Sequence, residues 1–104
     1  MANQGSGLNI EEITLKQSVL VLRAINHKLR QQILQLIHRK ECIMVTDIYV
    51  KLHLEQSVAS QHLRILRDAR IVTTERQGKQ IFYSVDYKRL EEVQALCGKL
   101  LQKT

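Results

Sequence analysis

A mainly α, α+β fold of about five helices and one two-stranded β-hairpin is predicted for this 104-residue chain. Three observations carry that expectation. Apolar residues recur at helical spacing in several separate stretches, and no proline interrupts them. Two of the helical stretches are short and separated by only a few residues. Two runs rich in β-branched and aromatic residues then flank Gln77-Gly78-Lys79, a turn sequence.

The elements follow in order. Residues 1–8 hold two glycines and little that can pack, and read as a flexible arm ahead of a single domain over 9–104. Asn9 is the expected cap of a first helix, with Glu11 and Glu12 in its opening turn and Ile10, Ile13, Leu20 and Ile25 at roughly helical spacing. After a break at Asn26, a second amphipathic helix carries Leu29, Ile33, Leu36 and Ile37 inward and Arg30, Gln31 and Gln35 on its polar face. Thr46 is the expected cap of a short third helix containing Ile48, Tyr49 and Leu52. A fourth helix over 55–67 places Ala59, His62, Leu63 and Leu66 on one side and Ser57, Ser60, Gln61 and Arg64 on the other. Residues 71–76 and 80–85 form the hairpin. Asp86 caps a last helix with Leu90, Val93, Cys97 and Leu100 at heptad-like spacing, widened by Leu96 and Leu101. A helix-turn-helix followed by a hairpin is a winged helix-turn-helix.

Composition narrows the function. Hydrophobic residues make up 44% and charged residues 25%, the balance of a globular domain rather than a disordered chain. Residues 1–7 are too polar for a signal peptide and no apolar run is long enough to span a bilayer, so a cytoplasmic protein without a membrane partner is expected. The formal charge of +6 favours a polyanionic partner. There is no nucleophile elbow, P-loop or dinucleotide glycine fingerprint, so no enzyme activity and no cofactor are expected. His27, His38 and His53 lack the spacing of a zinc site.

The fourth helix carries the chemistry. A solvated helix face usually uses Glu and Lys, whereas Ser57, Ser60 and Gln61 are short hydrogen-bonding groups of modest helix propensity. Gln pairs bidentately with adenine, Ser bonds several bases, and Arg pairs with guanine or phosphate. Gln56, Ser57, Ser60, Gln61, Arg64 and Arg67 are therefore the candidate DNA contacts of the recognition helix, and Arg76 and Lys79 those of a wing over 76–80. His62 lies on the apolar stripe and reads as a hydrogen-bonded core residue. Cys42 and Cys97 are candidates for redox sensing, against a plain reading as small packing residues.

The run Val58-Ala59-Ser60-Gln61-His62-Leu63-Arg64-Ile65-Leu66-Arg67-Asp68-Ala69 closely resembles the recognition helix of ArsR/SmtB-type winged-helix repressors. The segment Leu29 to Ile37 and the wing ending Gly78-Lys79-Gln80-Ile81-Phe82-Tyr83-Ser84 extend the resemblance over about Ile13 to Leu100. It implies a homodimer built by the first and last helices, binding of double-stranded DNA at inverted-repeat operators, repression of transcription, and release by an effector that stays unnamed. The alternative is the same scaffold used as a protein–protein interaction module without DNA binding. Metal-sensing members carry a Cys-Val-Cys element where this chain has Met44, Val45 and Thr46. Others bind zinc on the last helix with Asp, His, His and Glu, where this chain offers Asp86, Lys88, Lys99 and Gln102. No metal is therefore expected at either family site. Arg70 stands where the family usually has glycine, and a left-handed turn there would cost about 1 kcal/mol, so an altered local turn is expected.

Overall fold

The computed structural model describes residues 7–102. Apart from Gly7 and Leu8, the arm expected over 1–8 lies outside the described residues. The element order is α1 (Glu12–Ile25), α2 (Lys28–Lys40), β1 (Ile43–Met44), α3 (Val45–Lys51), α4 (Gln56–Asp68), β2 (Val72–Gln77), β3 (Gln80–Val85) and α5 (Tyr87–Leu101). Five helices and a hairpin are as predicted; the sheet, however, has three strands in the order β1-β3-β2. Ile43 pairs with Tyr83 and Met44 with Phe82, so the link before α3 is drawn into the sheet. This pairing holds Met44 extended (φ −76, ψ 150) and starts α3 immediately after it, which makes Met44 rather than Thr46 the N-cap.

The hairpin is in register from Val72↔Val85 to Gln77↔Gln80, leaving Gly78 and Lys79 as a two-residue loop. Gly78 has φ +65 whereas Lys79 keeps negative φ, the pattern of a type II′ turn, whose twist matches that of the strands. The core gathers Ile33, Ile37, Ile48, Leu63, Leu66 and Ile71, all essentially inaccessible, where α2, α3, α4 and the base of the sheet meet.

α1 starts at Glu12 with Glu11 as N-cap, not at Asn9, and Ile10 and Ile13 are exposed, so nothing in the chain holds the extra turn. α2 is capped by His27, whose Nδ1 accepts from the backbone N–H groups of Leu29 (3.2 Å) and Arg30 (3.4 Å). α4 ends in a Schellman motif: the N–H of Arg70 donates to the Arg67 carbonyl (2.9 Å) and that of Ile71 to the Leu66 carbonyl (3.0 Å). Arg70 holds φ +61, so the left-handed turn is retained without glycine, contrary to the altered turn expected. Its strain is offset because Leu66 and Ile71, the apolar pair of that motif, are both fully buried. The turn between α3 and α4 repeats the device with His53 at φ +54, Leu54 N–H bonding the Tyr49 carbonyl at 2.9 Å.

Candidate nucleic-acid interface

α4 runs from 56 to 68, one residue later at each end than the 55–67 predicted, because Glu55 is its N-cap. Its inner stripe, Ala59, Leu63 and Leu66, has no solvent exposure. Helical periodicity then forces Ser57, Ser60, Gln61 and Arg64 outward, and these four, with Gln56 and Arg67, are all exposed. Arg64 makes one ion pair, to Asp68 one turn on, at 3.9 Å with both side chains mostly in solvent, a contact too weak to hold the guanidinium back from another anion. Three residues separate α4 from the first strand of the wing. There Arg76 and Lys79 are exposed, and Arg76 Nε donates to the Gly78 carbonyl (3.2 Å), which folds the guanidinium back over the turn.

What positions α4 is a group that the sequence pattern did not assign to the interior. Arg30, expected on the polar face of α2, is only 8% exposed. Its Nε donates to the Ala24 carbonyl (2.7 Å) and its Nη2 to the Arg23 carbonyl (3.0 Å), the negative end of α1. Its Nη1 lies 3.1 Å from His62 Nδ1 on α4. One guanidinium thus ties α4 to the corner between α1 and α2. The signal was present: Arg30, Ile33, Leu34 and Ile37 stand at i, i+3, i+4 and i+7, so Arg30 shares the buried stripe. His62, expected as a hydrogen-bonded core residue, has that hydrogen bond but is only half-buried, and its ring lies 4.9 Å from that of His27. Burial first, then the charge of Arg30 and then His27, holds the His62 imidazole below its ordinary pKa, so it accepts from Arg30 as the neutral ring. At the other end of α4, Arg89 Nε donates to the Ala69 carbonyl (3.2 Å). Sequence reading had no role for Arg89.

Asp86 caps α5 as predicted, its Oδ1 accepting from the Arg89 N–H at 3.0 Å. α5 has no buried residue, and Leu96, Leu100 and Leu101 are 53%, 70% and 81% exposed. Cys42 is exposed beside β1 and Cys97 half-buried on α5, and both are free thiols. Among the described residues no three His, Cys, Asp or Glu side chains gather as a metal site, and no helix is long and apolar enough to cross a membrane.

Residues 27–74, from the α2 cap into the wing, match the model of the bacterial regulatory protein arsR family. The transcriptional repressor PagR of Bacillus anthracis is 31% identical over 84 residues, which cover 81% of this chain and 84% of PagR. The chain belongs to the ArsR family. Its crystallographic relatives agree: the PagR structure superposes with a TM-score of 0.65 at 30% identity, over 83% of this chain and 99% of that one. NolR from Sinorhizobium fredii gives 0.71 at 27% identity, over 95% and 99%. The transcriptional activator HlyU of Vibrio cholerae is 28% identical over 99 residues, 93% of this chain and 91% of HlyU. This ArsR-family chain is accordingly a DNA-binding transcription regulator of winged helix-turn-helix fold, in a family of regulators rather than enzymes.

Proposed function

We propose that the chain is a repressor that binds an inverted-repeat operator as a homodimer, reading bases with the 55–67 segment and gripping the backbone with the 76–80 wing. One observation carries this reading. Ser57, Ser60, Gln61 and Arg64 form a short-chain polar face on a helix whose opposite face is locked into the core, and a rigid helix bearing such groups suits the major groove. Repression rather than activation follows the likeness to PagR, named a repressor, although HlyU, more distant in sequence, is named an activator. Dimerisation through the first and last helices is supported by the exposed apolar residues there, Ile13 and Leu20 on α1 and Leu96 and Leu100 on α5. A two-fold dimer places half-site centres about 34 Å apart.

The effector acts elsewhere than at the two family metal sites. Met44 and Thr46 offer no thiolate, the Asp86 carboxylate is engaged as a cap, and Lys88, Lys99 and Gln102 follow it on and after α5. Thiol oxidation at the exposed Cys42, with or without Cys97, is the remaining sulfur route. Genomic fragments selected with purified protein provide the operator. On it, Gln61→Ala should weaken binding by about 1–3 kcal/mol, while leaving random duplex unaffected. Arg76→Ala should weaken both alike and flatten the salt slope by about 1. Stoichiometric zinc should leave the complex intact. Equal losses for Gln61→Ala on operator and random DNA would remove it from base reading, and salt-independent association would favour a protein-interaction module instead.

A further inference from the structure

Half of the chain's excess charge lies away from the reading face. The stretch from Gln56 to Tyr83 carries +3 of the formal +6. The other +3 is the balance of eleven Lys and Arg against eight Asp and Glu in the rest of the chain, and Lys28, Arg39 and Lys51 are among the eleven. Those three side chains line one open groove of about 640 Å³ between α2 and the end of α3, together with His53. Its remaining polar lining is Gln31, Gln32 and Gln35, and no carboxylate borders it. Among the described residues none of the three cations is ion-paired, since the one salt bridge is Arg64 to Asp68.

A merely solvated helix face would mix signs, with Glu placed one turn from Lys. α2 contains no Asp or Glu from Lys28 to Lys40, and sets Lys28 in its first turn, where the helix dipole disfavours a cation. An anion in the groove would reverse that penalty. From Lys28 to Arg39 the stripe is about 16 Å long at 1.5 Å per residue, too long for one phosphate and suited to a run of them. None of the lining residues belongs to α1 or α5, so pairing through those helices leaves the groove open. His53 stands in the turn that leads into α4, three residues before Gln56, which makes the groove continuous with the start of the reading helix.

We propose that the α2–α3 groove is a second phosphate-binding surface, which takes the DNA backbone adjoining the half-site that α4 reads. This rests on the DNA-binding reading above. The test uses the full chain and its triple variant Lys28→Gln, Arg39→Gln, Lys51→Gln, which removes only exposed charges and keeps good helix formers. Each is titrated, across a salt series, on a duplex that ends at the outer edges of the two half-sites and on one extended by about one helical turn at either end, with the spacing between half-sites unchanged. The native protein should bind the longer duplex more tightly, with a salt slope steeper by about 3 for each protomer. The triple variant should match it on the short duplex and lose the gain on the long one. A gain that persists in the variant would overturn the proposal. So would tripolyphosphate binding to the native protein, abolished in the variant, without any effect of duplex length, because the groove would then serve a free phosphoanion. A short duplex bound with no gain on extension would overturn the groove assignment alone, whereas failure to bind either duplex would remove both readings.

Discussion

α4 and α5 are of similar length, 13 and 15 residues, and each carries an apolar stripe along one side, yet the chain treats them oppositely. α4 buries Ala59, Leu63 and Leu66 completely; α5 buries nothing. Amphipathic pattern sets which face seeks cover, but only a neighbouring surface decides whether the cover lies in the same chain. α4 finds it in the core formed with α2 and α3, and its ends are further tied by Arg30 through His62 and by Arg89 at the Ala69 carbonyl. α5 is well capped at its start by Asp86, then projects Leu96, Leu100 and Leu101 into solvent. The first arrangement fixes α4 against the core, and the second leaves an apolar face with no cover inside the chain, the face proposed above for the dimer.

The sharpest way to break the contrast is to truncate each stripe. Leu63→Ala should lower folding stability by about 2–5 kcal/mol in urea denaturation, because it empties a site with no solvent exposure. Leu96→Glu combined with Leu100→Glu should leave the monomer folded by circular dichroism and move the sedimentation coefficient from dimer to monomer. A dimer that survives the double change would refute the role given to α5.

Next in size is the tether of α4. Arg30→Met should cost about 2–4 kcal/mol, since it strands the Arg23 and Ala24 carbonyls at the end of α1. The same variant tests the imidazole beside it. His62 has its folded pKa below the ordinary 6.5, so the unfolded chain binds the proton more readily. Stability is therefore full above about pH 6.5 and falls as the pH drops through the lowered folded value. Removing the Arg30 charge, the second cause after burial, should shrink that acid-side loss, as read by denaturation at about pH 5 and about pH 7.5. An unchanged loss would mean that burial alone sets the shift. Smallest is Arg70→Gly, which should stabilise by up to about 1 kcal/mol by relieving φ +61 in the Schellman turn.

Much of this architecture was legible from local pattern. The i, i+3, i+4, i+7 stripe of α4, the Gly78 turn and the Asp86 cap each depend on residues a few positions apart, and each stands where the pattern put it. The eight candidate contacts are all on the surface for the same reason. What escaped was non-local. β1 is two residues long, too short to show any period, and exists only because β3 offers it an open edge. The spacing of His27 bears only on metal binding, whereas in the fold its Nδ1 caps α2. The charge of Arg30 argues for the wet side of α2, but its position on the apolar stripe already puts it inside.

The sequence by itself determined the helices, the hairpin and the face that each turns to water, because periodicity, caps and turn residues act over one or two turns of chain. Only the tertiary structure decided that a guanidinium would be buried at the corner of α1 and α2, that the link before α3 would become a strand, and that Arg70 would hold a left-handed turn without glycine. Each of those three states is unfavourable locally. It persists because groups remote in sequence, the α1 carbonyls with His62, the edge of β3, and the buried pair Leu66 and Ile71, make the alternative worse.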